Sequence, residues 1–309
     1  AHLELVEKLV DQGLFRRFSA SVQSFNPKTL EVIKRKNTTD FQLLLDLCHK
    51  KNIPISTELI LGLPGESADS FKQGIAYCIK NNIVSYTSLL TVLENSELNN
   101  PEYIKTHNIQ SVSMYPDTNT DVQNSYVDPT NLLVGHSLLT RSEYVDLVIW
   151  SHLVTHIYSY RAYNHIINKL ASSTTNLVMV LDTIVTKLKT SSVIKPIIDI
   201  YSNHVEDGIT NDLSANGINS VDLEIMQKFN TLTDKENLDW WQDIDPSITI
   251  KDIVHQRLSI NRNFDTFDKI YNSKRYTSPG IPKRHSNWMV WLITTRWNNN
   301  AERQVKEIT

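Results

Sequence analysis

Apolar positions along the chain change period several times, and those changes divide its first third into strands and helices. Leu3, Val6, Leu9 and Val10 recur at helical spacing, with Gly13 as a stop. Phe18–Val22 then reads as a strand, followed by Ile55–Leu61 and by a third strand at about Tyr86–Leu93. The strand starts lie roughly 30 to 40 residues apart, the length of a βαβ unit. Alternating strand and helix predicts a parallel sheet with right-handed crossovers. In such sheets ligands bind at the edge where strands end and helices begin.

Two helices are predicted between the first two strands. Asn26 caps the first, Pro27 suits its first turn, and Leu30 and Ile33 give it an apolar side. The second opens on a capping box, Thr39 with Gln42, ahead of Phe41, Leu44, Leu45, Leu47 and Cys48. The short first helix would lie over the strand ends. Arg35 follows it within Lys34-Arg35-Lys36 and is either aimed into a site there or solvated. Two strand-end loops stand out on this edge: Gln23 to Asn26 (QSFN) and Gly62 to Glu66 (GLPGE). In the second, the glycines permit positive φ, and a helix is expected from about Ser67 with Asp69 in its first turn. The loop matches neither a GxGxxG fingerprint nor a P-loop. Glu58 interrupts an otherwise apolar strand, and an unpaired buried carboxylate is costly. It either accepts from a ribose diol or forms a structural salt bridge.

Composition narrows the classes. Of the residues, 40% are hydrophobic and 21% charged, ordinary values for a globular protein. A net charge of −3 with mixed signs gives no basic footprint for nucleic acid. No run of about 18 apolar residues marks a membrane span, and the first residues do not read as a signal peptide, so a cytoplasmic location is expected. Cys48 and Cys78 both fall in predicted amphipathic helices and read as small buried apolar residues rather than a disulfide framework. Two thiols so placed cannot hold an iron–sulfur cluster. All six tryptophans (150, 240, 241, 288, 291 and 297) lie beyond residue 149, which fits a boundary after residue 110.

On these residues the chain resembles the second half of a radical S-adenosylmethionine (SAM) enzyme core. SVQSFNPKTLEVIKRKN resembles the fourth-strand segment of that superfamily's barrel, ELILGLPGES the fifth and TSLLTVLENSELNNPEY the sixth. The pairing is most similar to the oxygen-independent coproporphyrinogen oxidases and to enzymes with a cobalamin-binding domain upstream. The implied fold is α/β: the C-terminal half of a partial (β/α)6 TIM-like barrel over residues 1–110, then a mainly α-helical domain over 111–309. The implied activity is reductive cleavage of SAM at a [4Fe–4S] cluster to a 5′-deoxyadenosyl radical acting on an unidentified substrate. Methyl transfer is implied where cobalamin is bound upstream, and the electron donor would be a flavodoxin or ferredoxin.

The resemblance assigns SAM contacts one position at a time. Gln23 matches the strand-end ribose contact, with Ser21 before it on the same inward face, and Glu58 matches the acidic ribose contact. Arg35 falls where the family places an arginine on the SAM carboxylate. Ile60 and Gly62 match positions flanking the adenine, and Leu93 would line it. Glu66 would order the loop. No catalytic residue and no metal ligand is assigned. The family's CxxxCxxC is absent from the 309 residues, as is the glycine-rich motif that holds the methionyl amine. The expectation is therefore a fragment, inactive alone, whose first half-barrel precedes Ala1 and whose sheet has a bare parallel edge. The alternative is a cluster-free homologue acting as a binding or scaffold protein.

Beyond the sheet, Pro101–Asn131 reads as a polar connection containing Pro116 and Pro129. Thr140 and Glu143 form a capping box opening a long helix with Tyr144, Val145, Leu147, Val148 and Ile149. His152 and His156 are four apart on it and read as ordinary histidines, since no third ligand is evident. Helices are expected over Asn176–Lys189 and Val193–Asn203, and Val221–Phe229 is amphipathic. Trp240, Trp241, Trp288 and Trp291 read as core aromatics.

Overall fold

A computed structural model of the chain describes residues 2–12, 18–35, 41–114, 130–158, 163–190 and 233–256, together with Lys195 and Asp199. Gly13, Lys36, Thr39, Pro116, Pro129, Val221–Phe229, Trp288, Trp291 and Trp297 lie outside the described residues, as does Val193–Asn203 apart from Lys195 and Asp199. Residues 1–250 form one compact unit; residues 251–309 form a second, of which 251–256 are described and helical.

The first unit is built on α1 (His2–Asp11), β1 (Phe18–Gln23), α2 (Pro27–Val32), α3 (Phe41–Lys50), β2 (Ile55–Leu61), α4 (Ala68–Lys80) and β3 (Ile83–Leu89). The strands pair in parallel in the order β1-β2-β3, as the alternation of strand and helix predicts. Among the described residues β1 pairs only with β2.

The third strand departs from expectation in two ways. It begins at Ile83 rather than near Tyr86, because the β-branched pair Ile83-Val84 already suits an extended chain. It also ends at Leu89, where the chain turns to a different partner. Leu90 donates its N–H to the Leu61 carbonyl at 3.1 Å and accepts from the Leu133 N–H at 3.0 Å. Beyond it, β4 (Thr91–Val92) pairs antiparallel with β6 (Thr130–Gly135), which also pairs with β5 (Gln110–Met114). Leu93 lies past β4 and is 64% exposed.

The polar stretch after residue 100 is also more structured than its composition suggests. Asn100 caps α5 (Pro101–His107) by accepting from the Glu102 N–H, with Pro101 at the first helical position. β5 follows with the alternating pattern QSVSM. A reading for connection missed both, since capped short helices and short strands carry little apolar signal.

α6 (Arg141–Tyr158) opens on the predicted box: the Thr140 N–H donates to Glu143 Oε2 at 2.8 Å and the Glu143 N–H to Thr140 Oγ1 at 3.3 Å. Tyr144, Val145, Leu147, Val148 and Ile149 are all buried. α6 packs with α7 (Asn164–Ser173) and α8 (Leu177–Thr190), and α4 packs against all three. α9 (Asp234–Gln242) seats Trp241 at 1% exposure, edge-on to Trp240.

Successive side chains alternate across a strand, so each strand of the parallel sheet presents two faces. On one face of β2, Ile55, Thr57, Leu59 and Leu61 are all buried. α4 lies over this side, with its Gly74 in reach of Leu59. The other face carries Ser56, Glu58 and Ile60, flanked by Ser19 and Ser21 of β1 and by Val84, Tyr86 and Ser88 of β3. Ser19 and Ser21 are exposed and Tyr86 is 44% exposed. The sheet thus has a covered, mainly apolar face and a polar one that is partly open from Glu58 onward, with Ser56 at its start 1% exposed.

Candidate functional site

The C-terminal edge of the parallel sheet brings the two strand-end loops together. The Ser24 hydroxyl donates to Glu66 Oε1 at 2.7 Å and accepts from the Asn26 N–H at 3.0 Å. The Thr29 hydroxyl donates to the Gly65 carbonyl at 3.1 Å. QSFN and GLPGE are therefore one bonded unit. Gly65 has a φ of 87° and no room for a side chain, since a Cβ there would lie 2.9 Å from Val32 Cγ2. Gly62 also has positive φ, and its buried backbone is covered by Leu133 and Tyr144.

β1 reaches this edge through a bulge. Its register with β2 shifts between Ala20 and Gln23, and Gln23 takes a φ of 67°, a region that non-glycine residues rarely occupy. Thr57 repairs the ladder. Its hydroxyl donates to the Ala20 carbonyl at 2.6 Å and accepts from the Val22 N–H at 3.4 Å. Such backbone strain persists where surrounding bonds impose it, and it gathers at binding sites.

Arg35 completes the edge. The turn after α2 passes through Lys34 at a φ of 53°. The Arg35 N–H donates to the Leu30 carbonyl at 2.8 Å, closing that turn. Arg35 Nη2 then donates to the Ser21 carbonyl at 2.6 Å, whereas its Nε is buried with no hydrogen-bond partner. Ser21 lies between the registered pairs Ala20–Thr57 and Gln23–Leu59, one strand across from Glu58. Lys34 instead turns outward and pairs with Glu97.

Glu58 makes no ion pair among the described residues. It accepts a hydrogen bond on Oε1 from the Ser88 hydroxyl, and the structural salt bridge left open by the sequence is not formed among the described residues. Ile60 is half-buried against an apolar cluster of Leu63, Leu90, Val92 and Leu133, which gives the open face one firm hydrophobic patch. Ser21, Arg35, Glu58 and Ile60 thus meet at one edge. Gly62 lies just past it on the α6 side.

Two buried titratable groups support the loops from behind. Burial pushes the Glu66 carboxyl up to about 7, against the opposing effect of the Ser24 and Ser70 hydroxyls. Its Oε2 has no partner. Its other oxygen, Oε1, ties the GLPGE loop to Ser24 of QSFN. His136, at 3% exposure after β6, is held down to about 4 by burial and by the nearby His107, with the Leu63 backbone opposing. Its Nδ1 accepts from the Leu138 N–H at 3.2 Å.

Cys48 and Cys78 are free thiols at 0% exposure on α3 and α4. Burial pushes both up, so neither is a ready thiolate. Among the described residues no group of three His, Cys, Asp or Glu side chains could hold a metal ion, and no helix is long and apolar enough to cross a membrane.

The family model of the radical SAM superfamily matches residues 1–78, the span that carries α1 to α4 and this edge. Over those residues the chain is a radical SAM-type segment. It is 36% identical over 106 residues to the cobalamin-dependent radical SAM methyltransferase TokK of Streptomyces tokunonensis, covering 33% of this chain and 16% of that protein. It is 30% identical over 145 residues to a 2-(S-pantetheinyl)-carbapenam-3-carboxylate methyltransferase of Streptantibioticus cattleyicolor, covering 44% of this chain and 21% of that one. An uncharacterised protein of Methanocaldococcus jannaschii is 36% identical over 66 residues, 21% of this chain and 20% of its own. The chain thus matches about a fifth or less of the length of the curated relatives it resembles. The first of these similarities links this radical SAM segment to the cobalamin-dependent branch.

Sequence reading missed the residues that hold the edge in shape: Ser24, Thr29, Thr57 and Ser88. Each acts through a hydroxyl bonded to a residue distant in sequence, or to one on a neighbouring strand. The available signal was the density of serine and threonine on β1, β2 and β3, which exceeds what a buried parallel sheet needs.

Proposed function

We propose that this chain supplies the nucleoside-binding side of a radical SAM site. The observation that carries the reading is Arg35: a guanidinium fixed to the strand end by Ser21, with a buried Nε still lacking an acceptor. A guanidinium donates in a planar fork suited to a carboxylate, and the methionyl carboxylate of SAM offers such a partner. Glu58 faces the ribose hydroxyls, Gln23 and Ser21 border them, and Ile60 with the Gly62 backbone flanks the adenine. Bound at a reduced [4Fe–4S] cluster, SAM supplies one-electron radical chemistry.

The residues here fit SAM and do not fit the cluster. Two buried thiols on the helix-covered side cannot ligate it, so its ligands and the glycine-rich amine contact are supplied from outside these 309 residues. The half-barrel over 1–110, the helical domain over 111–309 and inactivity of the chain alone belong to this proposal. Similarity to cobalamin-dependent methyltransferases supports methyl transfer as the outcome, with cobalamin held elsewhere. The lack of cluster ligands also favours a second reading, a cluster-free binding protein on the same scaffold.

Calorimetric titration tests the shared site. SAM is expected to bind, and Arg35→Ala to weaken it by about tenfold or more, on the scale of a lost charge-assisted hydrogen bond. The same variant should leave 5′-deoxyadenosine affinity unchanged, because that nucleoside has no carboxylate. Equal losses for both ligands, or none for either, would remove Arg35 from the site. Anaerobic reconstitution with iron and sulfide separates the cluster question: no cluster should form, and a stoichiometric one would contradict the placement of its ligands.

A further inference from the structure

Ser88 does more than occupy a position on β3. It pairs in register with Ile60, and Tyr86 pairs with Glu58, so Ser88 lies diagonally across from the carboxylate on the same open face. Its hydroxyl spends its single proton on Glu58 Oε1. A hydroxyl has one donor and two acceptor lone pairs, and an ionised carboxylate is acceptor-only. Once that bond is made, the hydrogen-bonding capacity left to the pair is Glu58 Oε2 and the Ser88 Oγ lone pairs, all of which can only accept.

We infer that Ser88 and Glu58 together form a two-acceptor clamp for a vicinal cis-diol, with Ser88 setting specificity for the intact ribose. A cis-diol brings two O–H donors on adjacent carbons, the complement of two adjacent acceptors. No cation among the described residues pairs with Glu58, and Arg35 Nη2 donates to the Ser21 carbonyl rather than to Glu58. The carboxylate is therefore left to hydroxyl donors. The inference rests on the nucleoside-site reading and adds to it a residue, a mode of contact and a selectivity. A sugar lacking either hydroxyl leaves one acceptor unpaired, and sites built for a hydroxyl reject analogues without it far more strongly than apolar sites reject extra groups.

The test uses the 309-residue chain and three probes: 5′-deoxyadenosine, 2′,5′-dideoxyadenosine and 3′,5′-dideoxyadenosine. The wild type should prefer the full diol by about tenfold or more over each dideoxy analogue, the scale of one unpaired buried acceptor. Ser88→Ala should reduce that preference to about twofold or less with its melting temperature unchanged, while Ser88→Thr, which keeps the hydroxyl, should restore it. A purely structural role would lower all three affinities in parallel. Retained preference in Ser88→Ala overturns the clamp while leaving the nucleoside site standing. Failure of the wild type to bind any of the three overturns the nucleoside site and the clamp with it.

Discussion

The two faces of the β1-β2-β3 sheet are made from the same strands and serve opposite ends. On the covered face, Ile55, Leu59, Leu61 and Ile83 are at most 2% exposed, beneath α4 with its buried Phe71, Ile75 and Ile79. On the open face, Ser21, Glu58, Tyr86 and Ser88 carry hydroxyls and a carboxylate where packing would favour valine or isoleucine. Burial of the first face supplies stability. The second gives up that burial and carries the acceptors and donors of the proposed site. Changes on the covered face should therefore alter folding, and changes on the open face should alter binding.

The most forceful way to break this contrast is Leu59→Ala. Leu59 is 1% exposed on the covered face, next in sequence to Glu58. Its truncation should cost about 2–5 kcal/mol in denaturant unfolding. Nucleoside affinity, measured where the variant remains folded, should be unchanged. A loss of affinity with little loss of stability would show that the faces are not separate.

Gly65→Ala probes the seam between them. The residue combines a φ of 87° with a Cβ position 2.9 Å from Val32, so the loop must move. The expected destabilisation is about 1–3 kcal/mol, accompanied by weaker SAM binding because Thr29 and Ser24 tie this loop to QSFN. Unchanged binding would mean that the loop does not shape the site.

Per pH unit, the smallest effect lies in pH dependence. Glu66 is raised from 4.5 to about 7 in the fold, so its contribution is full below pH 4.5 and is lost as pH rises to about 7. His136 is lowered from 6.5 to about 4, so its contribution is full above pH 6.5 and is lost as pH falls to about 4. Between 4.5 and 6.5 the two slopes oppose one another, each about 1.4 kcal/mol per pH unit at most. Glu66→Gln should therefore make stability rise more steeply with pH across that window. His136→Asn, which keeps an acceptor for the Leu138 N–H, should make it fall. Parallel responses of the two variants in thermal melts at several pH values would contradict the assignment.

How much of this was legible in the sequence follows from the range of each interaction. β2 could be placed at Ile55–Leu61, and α2 and α6 at their caps, because apolar period and capping are local signals. Glu58 and Arg35 stood out because a carboxylate in an apolar strand and an arginine after a short capped helix break local patterns. The β1 bulge, the turn of the chain at Leu90 and the Ser88–Glu58 bond were not legible. Each depends on which residue of a distant strand comes alongside, and period alone does not encode register. α5 and β5 were missed for a different reason: both are too short and too polar to stand out from a connection.

The central claim is that SAM binds on the open face at the ends of β1 and β2. Hydrogen–deuterium exchange of the chain with and without saturating SAM tests it most directly. Slower exchange is predicted at residues 23–26 and 62–66, with no change across α3 or α8. Protection confined to the helices, or none at either loop despite measured binding, would contradict it.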